Sequence, residues 1–337
     1  MALCTMDCLS CFIIFENFFC INRCNLIACP RKRFIGNVIF FISLVLMIAV
    51  CVNYVLTENV NAGIRMFQTF LAVEFVDLII AARIRKSSFE AFKRLDEKCG
   101  IEDDYISKLE ENTIKYTIFI FASAIFDVIG LKVLKFSANE IVIYSIFFST
   151  QDAELIFFSM TVEAINLRLS KLKDASPVFG SKIYRHVLIT TALLNEEFTP
   201  KILILLAVIL GTTVTYSSVI MLSLTETGPH LLIYLLWREM KVFFCLWKVC
   251  YASSKCEKIC QQLVFHLAKI LALDPTVNKG KNPRAYSTIH RWYSTILCER
   301  PRFTSSVLSI GLSVPLTLLD VSVNYVLIIV QIYVAYK

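Results

Sequence analysis

Long apolar stretches recur along the chain at the length that a membrane-spanning helix needs. About 20 residues of helix cross roughly 30 Å of hydrocarbon, and seven windows of this kind stand between polar segments. They cover about 37–56, 64–82, 115–134, 140–163, 201–223, 230–250 and 303–336. No alternation over about ten residues, the mark of a transmembrane β-barrel, recurs between turns. The pattern predicts an all-α membrane protein with seven transmembrane helices.

The last apolar window is too long for one span and contains two helix-breaking residues. Gly311 and Pro315 interrupt it, and an internal proline removes one helical hydrogen bond and clashes with the preceding turn. We therefore expect a short interior helix followed by a span that begins near residue 316. The seventh helix is predicted to be broken.

The basic residues are distributed unequally between the two sides of this arrangement. The N-terminal segment and the long connections hold 28 of the 34 Lys and Arg, and the opposite side holds four. Because short cytoplasmic loops retain basic residues, the N-terminus is predicted to be cytoplasmic and the C-terminus extracellular. This orientation disfavours a G-protein-coupled receptor, whose N-terminus lies outside the cell.

The connections between the windows predict the organisation of the chain. We expect a cytoplasmic or interfacial N-terminal segment in 1–36, helices 1 to 6 in 37–250, a cytoplasmic anchor region in 251–302 and the broken seventh helix in 303–337. Helices 4 to 6 are predicted to continue into the cytoplasm, because the inner connections mix charged with apolar residues. The apolar stretch Cys11–Ile21 lacks the basic flank and cleavage site of a signal peptide, so we expect it to lie on the membrane surface. The absence of an internal repeat disfavours an inverted-repeat transporter.

The sequence offers little that points to catalysis or metal binding. Twelve of the thirteen Cys fall on the inner side or in the lower half of a span, where the cytosol keeps thiols reduced. The four His are far apart, and no nucleophile motif or phosphate-binding loop accompanies them. Glu74 and Asp77 share one face of the second span but match no intramembrane protease or transferase signature. We expect no enzyme activity, metal, cofactor or nucleic-acid partner.

Polar and aromatic residues from several spans fall at one depth in the outer half of the bundle. At 1.5 Å per residue they lie roughly 10–16 Å below the outer surface. These candidate ligand-binding residues are Asp127, Phe148, Gln151, Asp152, Thr213, Tyr216, Trp237 and Arg238. Aromatic faces with a few polar groups suit a small-molecule pocket. The alternative is an ion pair between Arg238 and Asp127 or Asp152 that holds the bundle, with Trp237 and Tyr216 at the lipid interface.

The last span carries a narrow, partly polar stripe. Steps of three and four residues place its members on one helical face, and they are Thr317, Asp320, Asn324, Ile328, Gln331 and Ala335. Such a stripe on an apolar helix indicates contact with a neighbouring helix or exposure to a water-filled pore.

The same span carries a family resemblance. Asn324-Tyr325, five apolar residues and Gln331-Ile332 resemble the Thr-Tyr, five apolar, Gln-Phe signature that closes insect gustatory receptors. Asn324 stands in place of Thr, and Ile332 in place of Phe. The resemblance extends to the whole chain, with its seven spans, inner N-terminus, short outer loops and long inner helices. Odorant receptors share this topology but differ in the C-terminal signature.

The resemblance implies a homotetrameric or heterotetrameric, non-selective cation channel in the plasma membrane of a sensory neuron. The implied partners are an extracellular small-molecule tastant, permeating cations, the lipid bilayer and related receptor subunits. The final helix would line the pore, and the candidate pore and gate residues are Thr317, Asp320, Asn324, Tyr325, Ile328, Gln331 and Ile332. From other classes, a seven-span transporter and a non-conducting accessory chemoreceptor subunit remain open.

Overall fold

The protein is helical throughout the part of the chain that the structure describes. The computed structural model describes residues 5–57, 86–99, 103–173, 175–223, 229–273, 282–303 and 313–335, and no β-strand occurs in them. The α-helices are α1 (Thr5–Cys8), α2 (Ser10–Glu16), α3 (Pro30–Thr57), α4 (Lys86–Cys99), α5 (Asp103–Val133), α6 (Ala138–Lys171), α7 (Pro177–Ser223), α8 (Pro229–Leu273), α9 (Pro283–Cys298) and α10 (Ser313–Ala335). The all-α fold class is confirmed.

The predicted spans coincide with helices wherever the structure describes them. Five windows fall within α3, α5, α6, α7 and α8 to within one residue. The last window, 303–336, contains α10, and the window 64–82 lies outside the described residues. Three helices of the described part are long and apolar enough to cross a membrane, namely Pro30–Tyr54, Asp104–Val133 and Ala138–Lys171. These lengths and compositions are those of a membrane protein.

The long helical extensions predicted for helices 4 to 6 are present. Helices α7 and α8 run unbroken for 47 and 45 residues, so each is about 70 Å long. That is more than twice the roughly 30 Å of a bilayer's hydrocarbon core. The predicted anchor region contributes α9, which packs against α7 and α8, while α4 packs against α7.

Proline and capping side chains fix where several helices begin. Four of them begin at a proline, namely α3, α7, α8 and α9, where the missing N–H costs no helical hydrogen bond. Helix α6 begins with a capping box instead. The Glu140 amide donates to Ser137 Oγ over 3.3 Å, and the Ser137 amide donates to the Glu140 carboxylate over 2.9 Å.

Helix α6 is the central helix of the bundle. In the most apolar window of α6, 72% of the residues are buried. The corresponding fractions in the windows of α3 and α5 are 11% and 22%. A helix that is buried around most of its circumference must satisfy its polar side chains internally. Thr150, Asp152, Glu154 and Asn166 of α6 accordingly contact groups on other segments.

The N-terminal segment differs from its sequence prediction. The apolar stretch Cys11–Ile21 was expected to lie on the membrane surface, but Phe12, Ile13, Cys20 and Ile21 are completely buried. The segment packs against α3, α5 and α6, because a left-handed residue at Cys20 (φ 62°) turns the chain back into the bundle. Thr150 Oγ1 donates to the carbonyl of Phe19 over 3.2 Å and fixes this turn.

The predicted break in the last helix falls partly outside the described residues. Gly311 and the short helix expected before it lie there. Helix α10 begins at Ser313, three residues earlier than predicted, because Pro315 occupies its first turn, where a proline is tolerated.

Candidate functional site

Two helices approach closely beside the predicted polar layer. A Cβ on Gly130 of α5 would clash with Cδ2 of Tyr234 and lie 2.7 Å from its Cε2. Only glycine fits at this crossing without a shift of the Tyr234 ring. The close approach brings α8 next to Asp127, one helical turn before Gly130 on α5.

Four charged side chains meet at this level in a buried ion cluster of Asp127, Asp152, Arg238 and Lys241. Lys241 Nζ lies 2.6 Å from Asp127 Oδ2 and 2.5 Å from Asp152 Oδ2, and Arg238 Nη1 lies 3.2 Å and 3.5 Å from the same two atoms. All four residues are buried. Two cations thus balance two carboxylates, as a buried cluster requires.

One aromatic ring packs against the four charges, and Trp237 and Gln151 are the chain neighbours of Arg238 and Asp152. The Arg238 guanidinium lies over the Phe148 ring, 3.8 Å from its centroid, which is a cation–π contact. The Trp237 ring packs 4.5 Å from that of Phe126. Trp237 Nε1 and Gln151 Nε2 are buried without a hydrogen-bond partner among the described residues. The layer therefore combines paired charges with two unused donors.

The structure brings together four of the eight predicted ligand-binding residues, Asp127, Phe148, Asp152 and Arg238, and they form the ion pairs of the alternative interpretation. Arg238 contacts both Asp127 and Asp152. For Thr213 and Tyr216 the structure places only the backbone, in α7. Their ligand contacts stay a prediction.

Lys241 was missed as a member of this site. Its position three residues after Arg238 places both cations on one face of α8, and that spacing could have identified it. Arg238 and Lys241 are the two basic residues that lie inside a predicted span, 230–250, and so belong to neither side in the basic-residue count.

The close helix approach gives a direct mutational test. We expect Gly130→Ala to lower the free energy of unfolding by about 1–3 kcal/mol, because a methyl group must displace the Tyr234 ring in a packed core. Gly211→Ala is the matched control, since a Cβ at Gly211 would meet nothing within 4 Å and alanine is the better helix former. Denaturant unfolding of the purified protein in detergent measures both. Equal losses would show that α5 and α8 do not approach closely at Gly130.

A second buried charge cluster ties the N-terminal segment to α6. Arg23 pairs with Glu16, and its other terminal nitrogen lies 2.5 Å from the Glu154 carboxylate. Its guanidinium carbon lies over the Phe157 ring, 4.0 Å from the centroid. Arg23 and Glu16 are completely buried, so the segment is held by charge as well as by apolar packing. Arg23 is one of the 28 basic residues on the predicted inner side, and its position in the sequence did not indicate these partners.

A third cluster joins α1, α4 and α6 on the predicted inner side. Arg168 lies 2.7 Å from Asp96, and both the amide and the hydroxyl of Thr5 donate to the same carboxylate over 2.7 Å. Burial raises the pKa of the neighbouring Cys99 thiol to about 11, so this thiol stays protonated and weakly nucleophilic at neutral pH.

The predicted pore stripe of α10 is exposed over its described side chains. Thr317, Asp320, Asn324, Ile328 and Gln331 are exposed, as is Tyr325 beside them. For Ile332 the structure places only the backbone. The opposite face of α10, with Val314, Ser322 and Val326, is buried as the helix packs against α7 and α8.

Comparison with solved structures identifies the fold. Over 96% of this chain and 97% of the other, the structure is similar to the insect olfactory receptor OR5 from Machilis hrabei in complex with eugenol, with a TM-score of 0.59 and 12% identity. A second structure of that receptor gives a TM-score of 0.56 and 12% identity, covering 97% of each chain. No protein-family model and no curated protein matches the sequence. The chain therefore has the fold of an insect olfactory receptor over nearly its whole length.

Proposed function

We propose that this protein is a subunit of a ligand-gated, non-selective cation channel that responds to an extracellular small-molecule tastant. The observation that carries the proposal is the similarity in fold, over nearly the whole chain, to an olfactory receptor solved with a small molecule. The C-terminal resemblance to gustatory receptors, from Asn324 to Ile332, narrows the proposal to taste. The protein would act in the plasma membrane of a sensory cell.

The exposed stripe on α10 supports the pore assignment. A charged residue facing lipid costs about 2.5–3.5 kcal/mol, so Asp320 on an exposed apolar helix needs water or another polar surface. Four copies of α10 around a symmetry axis would supply both water and neighbouring polar surface. Asp320, Asn324 and Gln331 of each copy would then line a shared aqueous path. This arrangement is the tetramer that the gustatory resemblance implies.

The polar layer supports a ligand site beside the ion cluster. The four charges neutralise one another, which leaves Trp237 Nε1 and Gln151 Nε2 as buried donors without partners among the described residues. A buried donor without an acceptor costs about 1–3 kcal/mol. A ligand that offers an acceptor oxygen would recover this free energy, while the rings of Phe148 and Trp237 supply contact area.

Ligand binding would open the pore only through a difference in affinity between two states. A ligand shifts the equilibrium by the extra free energy with which it binds the open state. Helix α8 contains Trp237 and Arg238 and packs against α10. It is therefore the helix that would transmit the effect of ligand binding from the polar layer to the pore.

Expression of this chain alone with a panel of tastants tests the proposal. Ligand-evoked unitary cation currents are the expected result. Saturable uptake without unitary currents would favour a transporter, and silence that a second receptor subunit relieves would favour the accessory role.

The charge on α10 gives a quantitative test of the pore. We expect Asp320→Asn to lower the single-channel cation conductance at low ionic strength by about twofold or more, because a ring of carboxylates concentrates cations at the pore. Asp320→Glu keeps the charge and is the matched control. Equal conductance of the Asn variant and the wild type, in channels that open normally, would place Asp320 away from the conduction path.

A further inference from the structure

An apolar groove runs along the outside of the bundle, and none of the four charged residues of the ion cluster lines it. Its volume is about 630 Å³, and it lies between the N-terminal segment, α5 and α6. Phe15, Phe18 and Phe19 form one wall, and the α5 side chains from Thr117 to Ile129 form the other. Ser145 and Ser149 of α6 complete the lining.

The groove is open on the outside of the described bundle, at the level where the predicted spans put the hydrocarbon of the membrane. Its α5 wall belongs to the candidate span Asp104–Val133, and Ile118, Phe121 and Ile129 on that wall are 55–62% exposed. From Thr117 to Ile129 the groove extends about 18 Å along the helix, which is slightly more than one leaflet of a 30 Å core. Anything that enters it therefore comes from within the bilayer.

Two hydroxyl groups give the groove a polar feature that lipid cannot satisfy. Ser145 and Ser149 are 7% and 1% exposed, and neither Oγ has a hydrogen-bond partner among the described residues. They lie one turn apart on the same face of α6. A hydroxyl can rotate to donate or accept, so an oxygen in the groove could pair with either serine.

The lining also sets the charge of the occupant. No charged side chain lines the groove, so a carboxylate or a phosphate would enter without a counter-charge. The serines lie about 10–16 Å along α6 from its first residue, Ala138, which is deeper than the headgroup of a phospholipid. The occupant is therefore uncharged and carries its oxygen within the hydrocarbon layer.

We infer that this groove is a second binding site, which takes an uncharged aliphatic alcohol, aldehyde or ketone from the membrane and hydrogen-bonds its oxygen to Ser145 or Ser149. The site is separate from the polar layer of the proposed function and does not depend on conduction. Binding is therefore measurable even if the protein proves not to be a channel.

Photolabelling of the purified protein in lipid nanodiscs tests the inference. The probes are a photoreactive medium-chain alcohol and the alkane of matched length. We expect the alcohol to label the peptides that contain Phe15–Phe19 and Thr117–Ile129, and excess unlabelled alcohol to compete. One hydrogen bond of about 1 kcal/mol predicts about fivefold more labelling by the alcohol than by the alkane.

Variants separate the groove from nonspecific labelling. Ala124→Phe fills the groove and should abolish the specific labelling, whereas Ala122→Phe, at an exposed alanine of α5 outside the groove, should leave it unchanged. Replacing both serines by alanine should reduce the alcohol signal to that of the alkane. Equal labelling of the wild type by both probes, or labelling that neither competitor nor Ala124→Phe reduces, would overturn the assignment. The competition experiment uses wild-type protein, so it tests the binding site even if a variant fails to fold.

Discussion

Replacing Lys241 with methionine should lower the free energy of unfolding by about 3–5 kcal/mol. The side chain contacts Asp127 and Asp152 in the buried ion cluster, and its removal leaves two buried carboxylates with one cation. Breaking a buried ion pair from one side has a cost of this size, because the remaining charge stays desolvated. Denaturant unfolding in detergent measures the change.

Two further variants identify the cause of that loss. Lys269→Met removes an exposed lysine from the same helix and should change the free energy of unfolding by no more than about 0.5 kcal/mol. Adding Asp152→Asn to Lys241→Met restores the charge balance and should recover much of the loss. If Lys241→Met costs no more than Lys269→Met, the four charges are not a structural unit.

Replacing Arg23 with methionine should destabilise the protein by a similar amount, about 3–5 kcal/mol. Glu16 and Glu154 would then face each other in the core without their shared cation. The N-terminal segment should detach more readily, since Arg23 is its charged link to α6. Limited proteolysis at that segment, together with denaturant unfolding, measures both effects.

The control for this variant is another arginine of the N-terminal region. Arg31 is exposed at the start of α3, and Arg31→Met should be nearly neutral. A wild-type proteolysis pattern for Arg23→Met would contradict the role of Arg23 as the charged link between the N-terminal segment and α6.

The helices of this protein were readable from the sequence because they depend on local patterns. Window length and apolar content located α3, α5 and α6, and charge mixed with apolar residues indicated the extensions of α7 and α8. These features follow from hydrophobic transfer and helical period, which act along the chain. The orientation from the basic-residue count stays a prediction.

The partners of the buried charges were harder to predict from the sequence, because they depend on which helices pack together in the fold. Depth counting placed Asp127, Asp152 and Arg238 in one layer, but only the α5–α8 crossing at Gly130 brings Lys241 to both carboxylates. The N-terminal segment was misjudged for a related reason. Its apolar residues suit a membrane surface and a protein core equally, and the contacts of Arg23 decide between them.

The most direct test of the channel proposal is whether α10 faces water in the conducting state. The test applies a charged, water-soluble thiol reagent to the Asn324→Cys variant during ligand-evoked current. The control is Ile48→Cys, on the exposed apolar face of α3. The wild type, treated in the same way, corrects for the native cysteines. If α10 lines the pore, the reagent alters the current through Asn324→Cys within the applied ligand pulse and leaves Ile48→Cys at the wild-type level. Equal insensitivity of both variants, in assemblies that conduct, would contradict the pore assignment.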